Sequence, residues 1–144
     1  MITALGHVAF RVTKLDPALH FYCDILGLRE AFRLDREGSP SPWIVYLQVA
    51  LGQFVELFPG AENINAEAGD GASYDHFCLL VDGIQQTVRQ LAERGLPIEG
   101  APTMVLDNNY QYWVTDPDGN RIELMEIKPE SPHAAADSRW STAR

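Results

Sequence analysis

Two histidines and two glutamates stand at matching places along this chain of 144 residues. His7 opens the apolar run Val8-Ala9-Phe10-Arg11-Val12, and 49 residues later Glu56 lies inside Phe54-Val55-Glu56-Leu57-Phe58. His76 opens Phe77-Cys78-Leu79-Leu80-Val81, and 47 residues on Glu123 lies inside Arg121-Ile122-Glu123-Leu124-Met125. An ionised carboxylate among apolar strand neighbours is costly unless a cation or hydrogen bonds offset its desolvation, and two such acids brought close would repel. A divalent metal removes both difficulties. Two imidazoles with two carboxylates form a nitrogen/oxygen set suited to Ni, Zn, Co, Mn or Fe(II), with water completing the shell. Such a shell leaves room for substrate, so the ion can polarise neighbouring substrate oxygens while a carboxylate takes a proton from carbon. A lone histidine at a strand start is ordinarily just hydrogen-bonded, and a lone strand glutamate ordinarily faces water. The repetition of the pair is what makes four accidents a poor account.

The elements that carry these residues are themselves repeated. Each His-led run reads as a strand of β-prone residues. After the first comes a helix with Asp16 as N-cap, Pro17 at its first position, Leu15, Leu19, Tyr22 and Leu26 at helical spacing, and Gly27 closing it. After the second, Ile84, Val88 and Leu91 take the places of Leu15, Leu19 and Tyr22, and Gly95-Leu96 repeats Gly27-Leu28. Further strands are expected at 28–34, 43–49 and 53–58 in the first copy and at 97–101, 110–115 and 121–127 in the second. Asp116-Pro117-Asp118-Gly119 marks the second hairpin, with Pro fixing φ and Gly supplying a positive φ. The reading is an α+β chain of two βαβββ units, 1–60 and 73–128, joined by a linker at 61–72. Residues 129–144 show no clear periodicity and are expected to form a flexible tail.

Composition narrows the functional classes. Eleven Lys and Arg against 20 Asp and Glu give a formal charge of −9, with 46% hydrophobic and 22% charged residues. That is an ordinary globular composition, large enough for one sizeable core, without the clustered basic footprint a nucleic-acid binder needs. No apolar run approaches the ~20 residues of a membrane-spanning helix, and no signal-peptide pattern opens the sequence, so a cytoplasmic protein with no membrane partner is expected. Cys23 and Cys78 are too few for a disulfide framework and read as small buried apolar residues. His20 and His133 lack the symmetry of the other two and are expected at the surface.

The His7 strand leading into Phe21-Tyr22 and Leu26-Gly27-Leu28, together with Asp116-Pro117-Asp118-Gly119-Asn120-Arg121-Ile122-Glu123-Leu124, resembles the vicinal-oxygen-chelate superfamily, over about residues 3–128. That superfamily includes glyoxalase I, extradiol dioxygenases, CoA-ester epimerases and drug-resistance binding proteins. The resemblance implies a glyoxalase-like mixed-sheet half-barrel and a homodimer acting on a small molecule. From glyoxalase I it implies His7, Glu56, His76 and Glu123 as metal ligands. Glu123 would be the base moving a proton through an enediolate, with Glu56 as second proton carrier. It also implies Arg11 as a contact to a substrate carboxylate, on the same strand face as His7, and a pocket of Ile44, Tyr46, Trp113 and Met125; those pocket residues read equally as plain core. The chain departs from the pattern at Gly60, where the family has an asparagine. It departs again at Asp107-Asn108-Asn109-Tyr110-Gln111, which replaces a lysine-containing Gly-rich loop, leaving the thiol carried by the substrate open. A lyase or isomerase such as lactoylglutathione lyase leads. An extradiol Fe(II) dioxygenase, a CoA-ester epimerase and a non-catalytic drug-binding protein remain as alternatives.

Overall fold

The computed structural model describes residues 2–62 and 74–142. These fall into two compact units, one of residues up to 74 together with 116–120, the other of 75–115 and 121 onward. The linker expected at 61–72 lies, from residue 63 on, outside the described residues.

The first unit contains β1 (His7–Val12), α1 (Leu15–Leu19), β2 (Arg29–Leu34), β3 (Ile44–Ala50) and β4 (Gln53–Pro59). The second contains β5 (Phe77–Leu80), α2 (Ile84–Glu93), β6 (Thr103–Met104), β7 (Tyr110–Thr115) and β8 (Arg121–Glu126), followed by α3 (Pro132–Thr142). Each unit builds a four-stranded mixed sheet of identical topology, β1-β4-β3-β2 and β5-β8-β7-β6. In each, the His-led strand runs parallel to the Glu-bearing strand, and the other neighbours are antiparallel. The βαβββ duplication and the α+β class expected from the sequence are therefore present.

Strand alternation sorts each sheet into two faces. Val12, Val45, Leu47, Val55 and Leu57 are fully buried, and the helix between β1 and β2 contributes Ala18, Phe21, Tyr22 and Ile25 to the core. In the second unit Ile84, Val88 and Leu91 of α2 are buried with Ile122 and Leu124, as their spacing predicts.

Three local expectations are corrected. The first helix starts at Leu15, with Lys14 as an N-cap that makes no side-chain bond, so Asp16 and Pro17 lie inside its first turn. It then widens into a π-helix over His20–Ile25. The wider turn changes the phase, so Ala18, Phe21, Tyr22 and Ile25 are buried where Leu15, Leu19, Tyr22 and Leu26 were expected. No strand forms over 97–101, because Pro97 and Pro102 lack the N–H a ladder needs and Gly100 takes φ +74°; β6 is the short Thr103–Met104 pair. Residues 132–142, which showed no clear periodicity in the sequence, form helix α3. Ser131 Oγ accepts from Ala134 N at 3.1 Å, and Pro132 occupies the first helical position. Both helix terminators were read correctly, with Gly27 at φ +83° and Gly95 at φ +97°.

The Asp116–Asn120 turn groups with the first unit through buried polar bonds. Asp116 Oδ2 accepts from the Tyr22 hydroxyl at 2.9 Å and Asn120 Nδ2 at 2.8 Å, while Oδ1 accepts from the N–H groups of Asp118 and Asn120. Asp118 accepts from the Thr13 hydroxyl at 2.6 Å and from the Thr13 N–H. Burial and the neighbouring Asp116 push the Tyr22 hydroxyl well above its ordinary pKa.

Candidate metal centre

Parallel pairing of a His-led strand with a Glu-bearing strand brings the two side chains to one face. In the first unit β1 and β4 set Ala9 opposite Glu56, and His7 lies two residues back on the same face. His7 Nδ1 comes within 3.3 Å of Glu56 Oε1. In the second, Cys78 is opposite Glu123 and His76 Nε2 is 3.3 Å from Glu123 Oε2. Two donors each about 2.1 Å from one ion at near-right angles sit ~3 Å apart, so both separations suit neighbouring ligands of a single ion. The donor chemistry and the spacing within each pair fit a divalent metal.

The structure thus brings His7 together with Glu56, and His76 together with Glu123. Among the described residues no group of three or more His, Cys, Asp or Glu that could hold a metal ion is present. What stands are two donor pairs, each within its own unit.

The surroundings of the pairs differ. Glu56 is buried, and its carboxylate, close to the hydroxyl of its cross-strand partner Tyr46, lifts the Tyr46 pKa. Tyr46 stacks on Phe32 at 4.3 Å, with Phe54 edge-on to both rings. Arg11 shares the His7 face, is exposed, and holds its guanidinium 5.9 Å from the Phe58 ring centroid. Ile44 is buried.

Behind His76, Nδ1 is bonded to Asp75 Oδ2 at 2.6 Å. That bond, with Arg121 3.5 Å away, holds the Asp75 carboxyl below its ordinary range. Trp113 lies opposite Glu123, meets the His76 ring edge-on at 4.7 Å, and is covered by the Arg121 guanidinium at 4.4 Å. Met125 is buried. Cys78 is only half-buried rather than a plain core residue. Burial and the adjacent Glu123 carboxylate push its pKa up to about 12. His20 is exposed and paired with Asp24 at 2.9 Å. His133 is exposed too, but its Nδ1 meets Asn109 Nδ2 at 2.9 Å, a contact that ties α3 to the loop before β7.

Sequence reasoning missed Asp75, Cys78, Phe32 and Phe54. Cys78 was accessible from register, since two residues beyond His76 is the same strand face. Asp75 was not, because its side chain precedes β5 and no periodicity governs it.

No helix among the described residues is long and apolar enough to cross a membrane. The family model described as the Glyoxalase/Bleomycin resistance protein/Dioxygenase superfamily matches residues 4–124. A probable lactoylglutathione lyase of Synechocystis is 30% identical over 128 residues, covering 85% of this chain and 94% of that protein. A lactoylglutathione lyase of Haemophilus influenzae is 27% identical, covering 85% and 91%. A catechol-2,3-dioxygenase of Bacillus subtilis is 26% identical over 90% of this chain but only 43% of its own length. Among solved structures, a lactoylglutathione lyase from Agrobacterium tumefaciens superposes with TM-score 0.64 at 23% identity, covering 87% of this chain and 94% of that one. A glyoxalase family protein from Enterococcus faecalis reaches 0.71 at 21% identity, covering 85% and 97%. With the duplicated sheets and the repeated His–Glu pairs, these matches establish that the chain belongs to the glyoxalase/bleomycin resistance/dioxygenase superfamily.

Proposed function

We propose that the protein is a metal-dependent lyase or isomerase of the glyoxalase I type, in which His7, Glu56, His76 and Glu123 together hold one divalent ion. The observation that carries this is the repetition of the same pair, imidazole nitrogen to carboxylate oxygen at 3.3 Å, in both units. When bound, the ion supplies Lewis-acid stabilisation of charge developing on two neighbouring substrate oxygens. Glu123 removes the proton from the carbon beside the substrate carbonyl and returns it to the adjacent carbon, so the reaction is an internal redox isomerisation with no net electron or proton demand. Glu56 serves as second proton carrier, its carboxylate close to the Tyr46 hydroxyl. Arg11 meets a substrate carboxylate, and Ile44, Tyr46, Trp113 and Met125 contact its apolar portion. The working state is a homodimer in the cytoplasm.

Purified protein reconstituted with Ni, Zn, Co or Mn and assayed with the hemithioacetals of methylglyoxal and several thiols tests this reading. Stoichiometric metal and isomerisation that is lost in Glu123→Gln support it. Absence of bound metal after reconstitution overturns it. Ring cleavage of a catechol with oxygen, without hemithioacetal turnover, moves the assignment to the dioxygenase branch.

A further inference from the structure

The two imidazoles are held differently, and the difference points to a residue outside the four donors. An ionised carboxylate can only accept, so the 2.6 Å contact between His76 Nδ1 and Asp75 Oδ2 requires the proton to sit on Nδ1. In the neutral ring the Nε2 lone pair then faces Glu123 Oε2 at 3.3 Å. Two acceptors opposed at that distance are reconciled by a cation between them, a metal ion or a proton on Nε2. Asp75 is itself braced by Arg121 at 3.5 Å, and Arg121 is laid over Trp113, whose ring also abuts His76. Among the described residues of the first unit no such arrangement is present: Gly6 precedes His7, and His7 turns Nδ1 itself toward Glu56.

We infer that Asp75 is a positioning residue for His76: by accepting the Nδ1 proton it fixes the ring's tautomer and orientation and presents the Nε2 lone pair to the metal side. An acid behind a ligating imidazole restricts ring rotation and raises ligand basicity, and losing such a partner weakens metal binding by about 10–100-fold. The inference rests on the proposed metal centre for its purpose, while the geometry of His76 can be read without metal.

The test uses the full chain, with Asp75→Ala, Asp75→Asn and, as a charge control, Glu93→Ala on the exposed end of α2. Nitrogen-15 spectra of the metal-free imidazoles at about pH 9, where histidine is neutral, report the tautomers. His76 is expected as the Nδ1–H form in the wild type and to move toward Nε2–H in Asp75→Ala. Asp75→Asn, which keeps a carbonyl acceptor, retains the wild-type form. Co(II) affinity is expected to fall about 10–100-fold in Asp75→Ala and to stay within about twofold in Glu93→Ala, whose charge is screened by solvent. An unchanged His76 tautomer in Asp75→Ala overturns the inference, as does a Co(II) affinity no weaker than that of Glu93→Ala. A wild type that takes up no Co(II) removes the proposed metal centre instead, and the tautomer comparison still decides the role of Asp75.

Discussion

In the first unit the imidazole is the open member of its pair, with 55% of the His7 side chain exposed against 7% for Glu56. In the second the values are 31% for His76 and 13% for Glu123, and the ring is enclosed by Asp75 on one side and Trp113 on the other. Both units use the same parallel strand pairing and the same residue types. One encloses its carboxylate, through burial and Tyr46; the other encloses its imidazole. Duplication supplies equivalent side chains, and the neighbours decide which of them is enclosed and which is left open.

The sharpest way to break this comparison is to remove donors one at a time. Glu123→Gln is expected to lower hemithioacetal isomerisation by about 10²–10⁴-fold, the range lost with a proton-transferring group. The preorganised ring should also matter more for metal retention, so His76→Ala should weaken metal affinity about tenfold more than His7→Ala. Isothermal titration with Ni or Zn reads the difference. Equal losses would show that the Asp75 brace contributes nothing to binding.

A second contrast concerns the two hairpin turns. The Asp116–Asn120 turn is a polar clamp, with both Asp116 oxygens carrying buried donors, among them the Tyr22 hydroxyl. Asp116→Ala strands those donors and should cost about 3 kcal/mol in urea unfolding. The turn between β3 and β4 is the pair Leu51-Gly52, with Leu51 almost fully exposed at its tip. Leu51→Ala should change stability by less than about 0.5 kcal/mol. The Tyr22 pKa is raised on folding, so the unfolded chain ionises first as pH climbs past about 10, and stability is lost from there upward.

Much of this was legible in the sequence. The His-led strands, the Gly27 and Gly95 terminators, the second helix's buried stripe and the Glu-bearing strands all follow from periods of 2 and 3.6. Where the backbone leaves those periods, legibility ends. The π-helix at His20–Ile25 shifts which residues face the core, and no composition signal distinguishes it from an ordinary helix. Ser131-Pro132 was a readable N-cap and first-turn signature, overlooked because the Ala-rich stretch after it shows no apolar stripe. Asp75 and Asp116 act through contacts whose existence depends on the folded chain. The two His–Glu pairs were legible as residues on paired strands, while the side chains that surround each pair were not.

That overlooked cap gives a further prediction. Ser131 is the only cap among α1, α2 and α3 supplied by the cap residue's own side chain, since Lys14 and Gly83 make no side-chain bond. Ser131→Ala should cost about 1 kcal/mol, visible as faster amide exchange in α3 with exchange in β4 unchanged. Uniform acceleration across both units would mean that α3 is not an independent local feature.

A smaller effect than that of the α3 cap separates α2 from α1. Glu126, on the last strand of the second unit, reaches the N-terminus of α2 and accepts from Ile84 N at 2.9 Å, whereas α1 has only Asp16 within its own first turn. That bond, reinforced by Lys128 at 3.0 Å, holds the Glu126 carboxyl below its ordinary range. A depressed folded pKa places the stabilisation above the unfolded value of about 4.3 and removes it as pH falls through the folded value. Glu126→Gln should therefore cost about 0.5–1 kcal/mol at pH 7, and its difference from the wild type should shrink steadily as pH falls and the wild-type carboxyl takes up its proton. Urea titrations of both proteins at a series of pH values from neutral to acid check it. A difference that persists at the acid end would mean that the side chain's packing against α2, and not its charge at the helix terminus, does the stabilising.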